Sequence, residues 1–310
     1  MKVLYITNNY PNENDPNYGI FVKEQIESVE AKLEDHDIIF INAKAHGKLH
    51  YVLAVFRVYA FLLRKQYNII HVHHAFSGIP ILISGVWSFS KVILSYQNPP
   101  EHEGGTLLFK VFQIFFSGII VKHSSKIVGP KCHYLPNGVN QEVFGKISRV
   151  EARKKLKIPA DDIVFLHIDS NPEKRTQKRY DRFIDVIRIL KANYGIEVFA
   201  LKVNRVNRMD MKYYFAASNL YLVTSDFEGS PNAVKESIFM GTPVVTTPVG
   251  NTSEIFCNLS HIFRCPSFDS YDLADRCFNV VSNGYAVEGL HIESTEEVSD
   301  KLFSIYENIA

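Results

Sequence analysis

The sequence is poor in the features that would assign it to a specialised class. Four cysteines occur in 310 residues (Cys132, Cys257, Cys265 and Cys277), with no C-x-x-C pair and no zinc-ligand spacing. That excludes a disulfide scaffold and a zinc module, and fits reduced, buried thiols. No stretch reaches the ~18 uncharged apolar residues of a membrane span. The start, MKVLYITNNYP, has too few apolar residues and no small-residue cleavage site for a signal peptide, so a cytoplasmic protein is expected. Charge of one sign is also lacking. Lys+Arg 34 against Asp+Glu 33 leaves +1, so no global field recruits nucleic acid. No G-x-G-x-x-G follows the first strand, which disfavours a dinucleotide dehydrogenase. No repeat at a solenoid period is present.

What remains is the composition of a globular chain, 46% hydrophobic and 22% charged, at about twice the length of an average domain. Short apolar runs alternate with helical patterns from end to end. Strands are expected at Val3–Thr7, Ile38–Asn42, Ile69–His73, Val92–Tyr96, Ile163–Ile168, Glu197–Val203, Leu220–Thr224 and Pro243–Thr247, with weaker signals at Lys126–Val128, His133–Leu135 and His261–Phe263. Helical patterns fall at 20–34, 51–65, 104–121, 177–193, 209–217, 231–240, 270–283 and 293–308. Most strands are Val- and Ile-rich throughout, as in sheets covered on both faces. The alternation predicts α/β architecture with parallel, doubly wound sheets.

The turn formers Pro136, Asn137 and Gly138 mark the break between two halves. The expected domains are 1–138 and 139–297, with a final helix at 298–310 returning to the first. Ligands of such folds bind at the carboxyl ends of the strands, so a cleft between the two halves is expected. Two segments, 51–63 (YVLAVFRVYAFLL) and 106–121 (TLLFKVFQIFFSGIIV), are apolar almost all round, broken by Arg57 and Lys110. They read either as buried packing helices or as faces that dip into a membrane interface.

The most informative stretch is SDFEGSPNAVKESIFMGTPVVTTPVGNTSE, Ser225–Glu254. A strand ends in a polar loop, Ser230 reads as an N-cap, Pro231 as the first helical residue, and Gly241 as the left-handed residue after the helix. A helix opening at the sheet's carboxyl edge offers the backbone N–H groups of Asn232, Ala233 and Val234 to an anion, for which a diphosphate is the natural guest. Glu228 and Glu236 supply carboxylates that accept from vicinal sugar or ribose hydroxyls.

This string resembles the retaining glycosyltransferases of family 4, which have the GT-B fold of two Rossmann-like domains facing across a cleft. The residues that carry the resemblance are Glu228, Gly229, Pro231, Glu236, Gly241, Pro243, Val244 and Val245. Gly19, in the loop after the first strand, resembles the family's N-terminal glycine loop, and PNGVNQEVF at 136–144 resembles the run that ends its first domain. The match is loosest at 97–132 and beyond 255.

The resemblance implies that Glu236 accepts from the nucleotide ribose, that Glu228 contacts the donor sugar, and that a lysine and an arginine neutralise the departing diphosphate. Lys178, in KRYD, is the lysine. Arg175 is the arginine by proximity, with Lys174 and Arg179 as alternatives, because the usual Gly-Arg is absent. The family's histidine after the fourth strand is also missing. Gln97 or Asn98 stands there and His102 lies further on, while His73 and His74 are candidates for the acceptor side.

The implied activity is metal-independent, retaining transfer of a sugar from a nucleoside-diphosphate donor to a glycan or lipid-linked acceptor. It needs no cofactor and fits bacterial surface polysaccharide synthesis at the inner face of the plasma membrane, with peripheral membrane contact. The competing readings are a non-catalytic nucleotide-sugar-binding subunit and a GT-B-type nucleotide-sugar epimerase.

Overall fold

The computed structural model describes residues 1–13, 15–169, 176–204, 206–287 and 290–310. Its contacts divide the chain into Met1–Asn137 with Thr295–Ala310, and Gly138–Ser294. The breaks expected from sequence stood after 138 and after 297.

The first unit carries a six-stranded sheet: β1 (Lys2–Thr7), β2 (Asp35–Phe40), β3 (Ile69–His73), β4 (Val92–Ser95), β5 (Gly118–Val121) and β6 (Cys132–Tyr134), in the order β2-β1-β3-β4-β5-β6. Every neighbouring pair is parallel. Strand order reverses between β1 and β3, which defines a switch point at the carboxyl edge.

Alternate residues feed two separate cores. Leu4, Ile6, Ile70, Val72 and Leu94 pack beneath helices Leu49–Arg64, Ala75–Ser84 and Thr106–Phe115. Val3, Tyr5, Ile69 and Ile93 pack beneath helices Ile20–Glu30 and Thr295–Ile309, the latter through Val298, Leu302 and Tyr306.

The second unit has four parallel strands, β7 (Ile163–Ile168), β8 (Val198–Val203), β9 (Leu220–Val223) and β10 (Val244–Thr246), in the order β10-β9-β7-β8. Its switch point lies between β7 and β9. The main core of this sheet is built on Phe165, Leu166, Phe183, Phe215, Leu222 and Val245, and a smaller cluster of Ala152, Ile158, Val164, Ala216 and Ala217 packs on β7 through Val164.

Several expectations are corrected. The apolar run 104–121 is not one helix. The helix ends at Phe115, and Ser117 N–H donates to the Val92 carbonyl (2.8 Å), which starts β5. A Cβ on Gly118 would meet the tip of the Ile309 side chain at 2.7 Å.

Residues 126–128 form no strand, since the chain makes a 3-10 turn at Ser124–Lys126 and enters the sheet only at β6. His261–Phe263 belongs to the short helix Ser260–Phe263, with a single bridge from Arg264 to Thr246. Helices Ala75–Ser84, Arg149–Leu156, Thr252–Phe256 and the four-residue Ala43–His46 were not foreseen. The first contains Gly78 and Pro80, two residues that ordinarily argue against a helix. Gly78 is required there because a Cβ would lie 2.9 Å from the Phe112 ring. No helix among the described residues is long and apolar enough to cross a membrane.

Candidate active site

The two loops that leave β7 and β9 flank the switch point of the second sheet, and the chemistry-bearing residues lie on them. The 3-10 turn Thr176–Lys178 is tied to the exit of β9 by backbone and hydroxyl bonds. Asp226 N–H donates to the Gln177 carbonyl (2.8 Å), and Thr224 Oγ1 donates to the Lys178 carbonyl (2.9 Å). This brings Lys178 Nζ to 2.5 Å from Glu228 Oε1, which also accepts from Ser225 Oγ at 2.7 Å. Both members of the ion pair are mostly shielded from solvent, and charge-assisted bonds in such places are short and directional.

Arg179 points elsewhere. It sits in the left-handed region (φ 49°) and grips Asp181 (2.9 Å) and Asp226 (3.2 Å). Arg182 adds a bond to Asp226 (3.0 Å) and another to the Thr224 carbonyl (2.6 Å), so these two arginines brace the loop. Arg175 and Lys174 lie outside the described residues.

The helix after this loop runs Asn232–Phe239, with Pro231 as the N-cap residue. Ser230 is therefore not the cap. Its hydroxyl is buried and has no hydrogen-bond partner among the described residues. The expected row of N–H donors is also shorter than foreseen. Val234 N–H donates to the Pro231 carbonyl at 3.1 Å, which closes the first turn and removes it from an anion's reach. Asn232 and Ala233 stand at the helix start. Gly250 (φ +54°) lets the following loop press against this one: Asn251 N–H donates to the Gly229 carbonyl (3.1 Å), and a Cβ on Gly250 would fall 2.4 Å from that oxygen.

Glu236 is buried and carries a partner that the sequence did not indicate. Arg208 Nη2 lies 2.6 Å from its Oε1, and the same guanidinium stacks over Phe144 at 4.8 Å. Glu228 and Glu236 both act on Tyr221 of β9. After burial, these two carboxylates are the charges that push the Tyr221 phenol on β9 well above its ordinary pKa.

The carboxyl edge of the first sheet is built differently. Gly19 (φ +67°) caps helix Ile20–Glu30, and a Cβ there would sit 2.3 Å from the Asn9 carbonyl carbon, so only glycine allows the loop after β1 to close back on itself. His73 ends β3 fully buried, its ring 4.2 Å from that of His71, and burial with Lys122 nearby lowers its pKa to about 3. Its Nε2 has no partner among the described residues.

His74 adopts φ 78° as the cap of helix Ala75–Ser84 and accepts from Phe76 N–H (3.3 Å), with burial lowering its pKa to about 4. His102 is exposed on the 3-10 turn Pro100–His102. Its neighbour Glu103 is the residue turned inward. This carboxylate accepts from the backbone N–H groups of Ala75 (2.9 Å), Gln97 (2.8 Å) and Asn98 (2.7 Å), joining the exits of β3 and β4. Burial outweighs those bonds and raises its pKa to about 7. Lys122, next after β5, is buried without a hydrogen-bond partner among the described residues, and burial lowers its pKa to about 7. Asn98 is thus placed by Glu103. No three His, Cys, Asp or Glu side chains among the described residues converge as a metal site.

Residues 175–283, which include the Glu228–Glu236 segment, match the family described as glycosyl transferases group 1. No curated protein matches the chain. Among solved structures, the sucrose-phosphate synthase of Thermosynechococcus elongatus superposes with a TM-score of 0.78 at 15% identity, covering 99% of both chains. HepE of Anabaena, in complex with UDP, gives 0.67 at 15% identity over 100% of this chain and 98% of that one. The UDP-GlcNAc 2-epimerase of Methanocaldococcus jannaschii, in complex with UDP-GlcNAc and UDP, gives 0.63 at 10% identity over 99% and 100%. The architecture is therefore that of the two-domain, Rossmann-like GT-B fold.

Proposed function

We propose that this protein is a glycosyltransferase that moves a sugar, with retention of configuration and without a metal, from a nucleoside-diphosphate donor to a hydroxyl of a glycan or lipid-linked acceptor. The observation that carries this reading is the shielded Lys178–Glu228 ion pair beside the β7–β9 switch point, followed by the buried, Arg208-paired Glu236, within the segment that matches glycosyl transferases group 1.

In this reading Glu236 accepts from the ribose hydroxyls, with Arg208 holding its carboxylate in place. The start of helix Asn232–Phe239 and the Ser230 hydroxyl receive a phosphate. Lys178 stands beside the leaving diphosphate, and Glu228 holds both that lysine and the donor sugar. The bond from the anomeric carbon to the diphosphate oxygen breaks, the acceptor oxygen bonds to the same face of that carbon, and the acceptor's proton passes to the released diphosphate. The protein contributes position and charge rather than a nucleophile.

The first unit takes the acceptor, with the edge formed by Gly19, His73, His74, Asn98 and Glu103 as the contact region. Work at the cytoplasmic face of a membrane in surface polysaccharide synthesis suits a lipid-linked acceptor. The test is transfer from a radiolabelled UDP-, GDP- or ADP-sugar to a lipid-linked or glycan acceptor, with the anomeric configuration of the product read by NMR. A product of retained configuration is expected. Conversion of the free nucleotide sugar without any acceptor would favour an epimerase, and binding without turnover would favour a non-catalytic subunit.

A further inference from the structure

The first unit's sheet is covered on its two faces by helices of opposite character. On one face, helices Ile20–Glu30 and Thr295–Ile309 follow the usual rule: apolar side inward, Glu27, Glu296 and Asp300 outward, and no large exposed apolar residue. On the other, helix Leu49–Arg64 buries Ala54 and Val58 yet turns a second apolar stripe to solvent. Leu49 (64% exposed), Val52, Leu53, Phe56 (67%), Tyr59 and Leu63 (87%) recur at helical spacing along it. Helix Ala75–Ser84 packs beside it and exposes Phe76 and Ile83; helix Thr106–Phe115 packs beside that and exposes Leu107 and Ile114. Contiguous exposed apolar surface of this kind marks an interaction site.

The charge on this face says what it meets. From Ile38 to Pro100 the chain contains no Asp or Glu, and from 38 to 141 it contains ten Lys or Arg against Glu101 and Glu103 alone. Glu103 is buried and Glu101 is paired with Lys126. Lys48, Arg64, Lys91 and Lys110 are exposed and form no ion pair among the described residues. The chain as a whole is nearly neutral, so this is a local field. A second copy of the chain docked on the same patch would set cations against cations with no carboxylate between them.

We propose that the outer face of helices Leu49–Arg64, Ala75–Ser84 and Thr106–Phe115 docks on an anionic lipid bilayer, its apolar side chains entering below the headgroups and its lysines and arginines resting at phosphate level. This is interfacial attachment, not spanning, and it needs both parts of the pattern: apolar area for insertion and cations for attraction. The inference extends the proposal of a membrane-side acceptor, but it rests on a surface remote in sequence from the donor residues.

Trp87 makes the test clean. It is the chain's single tryptophan, it is half-buried, and it packs on Phe115 of the third helix with ring centroids 4.5 Å apart. The full chain is mixed with vesicles of phosphatidylglycerol and phosphatidylcholine, or of phosphatidylcholine alone. Co-sedimentation and Trp87 emission are then read in the wild type, in Phe56→Glu/Leu63→Glu, and in Lys48→Gln/Lys110→Gln.

The wild type should bind the anionic vesicles with a blue shift, and bind neutral ones far more weakly. The glutamate pair should abolish binding, and the glutamine pair should weaken it about 25-fold, at about five-fold per cation. All these side chains are exposed, so melting temperature and nucleotide affinity should stay at wild-type values. That separates failure of the docking face from failure of the donor site. Absence of wild-type binding to anionic vesicles, or equal binding by the glutamate pair, overturns the proposal. A concentration-dependent dimer that Phe56→Glu dissolves, with no vesicle binding, assigns the face to a second copy and also overturns it.

Discussion

The carboxyl edges of the two sheets differ although their architecture is the same. At the second sheet's edge, charge is kept and paired: Lys178 with Glu228 at 2.5 Å, and Arg208 with Glu236 at 2.6 Å. At the first sheet's edge, charge is suppressed. Burial holds His73 and His74 neutral, pushes the Glu103 carboxyl up to about 7, and brings the Lys122 ammonium down to about 7. A leaving diphosphate needs fixed charge beside it, whereas a hydroxyl acceptor needs shape and neutral hydrogen-bonding groups. The parallel scaffold is thus indifferent to the chemistry, and local burial decides which edge can stabilise an anion.

The difference is broken most sharply at Glu228. Glu228→Gln keeps the shape and releases Lys178 from its ion pair. Steady-state kinetics should show kcat lowered about 10²- to 10³-fold, with little change in donor binding. Unchanged kcat would make the pair structural.

Glu236→Ala should do the reverse, raising the donor KM roughly 10- to 100-fold while kcat moves little, as for loss of charge-assisted bonds made equally in ground and transition states.

The first edge should show itself through acid. His71, His73 and His74 have pKa values lowered by burial, so between pH 6.5 and pH 4 the unfolded state binds more protons at these three groups than the folded one, while Glu103, raised to about 7, contributes with the opposite sign and offsets about one of them. Stability contributed by the three histidines is present above pH 6.5 and is lost as pH falls. Each histidine contributes a slope of about 1.4 kcal/mol per pH unit, to be read from melting temperatures across that range and reduced in His73→Gln.

The smallest effect sharpens the contrast between the two faces of the first sheet. Leu63→Ser, on the outer stripe, should change stability by less than about 0.5 kcal/mol in denaturant unfolding, whereas Leu302→Ala, fully buried on the opposite face, should cost about 2–5 kcal/mol.

How far the sequence could be read follows from how local each feature is. The strand, loop and helix around Glu228 and Glu236 are written in one contiguous string, with Pro231 and Gly241 as punctuation, and they were legible. Lys178 was legible only through family resemblance, because its approach to Glu228 depends on the tie between Asp226 and Gln177. Arg208 was not legible: it reaches Glu236 from a different element, and nothing in VNRVNR distinguishes it from a surface arginine. Glu103 was missed for His102 because solvent exposure, not residue type, decides which of the two turns inward. The strand β5 was hidden in an apolar run whose hydrophobicity does not change where helix gives way to strand. The apolar faces of 51–63 and 106–121 were visible as apolar, but their outward direction is a property of packing.

The account rests on a nucleoside-diphosphate site in the second unit, and the most direct measurement is calorimetric titration of the wild type and Glu236→Ala with UDP, GDP and ADP. The account predicts that one of the three binds the wild type with single-site stoichiometry and loses most of its affinity in the variant. Equal binding by the two proteins, or no binding of any of the three to the wild type, would contradict it.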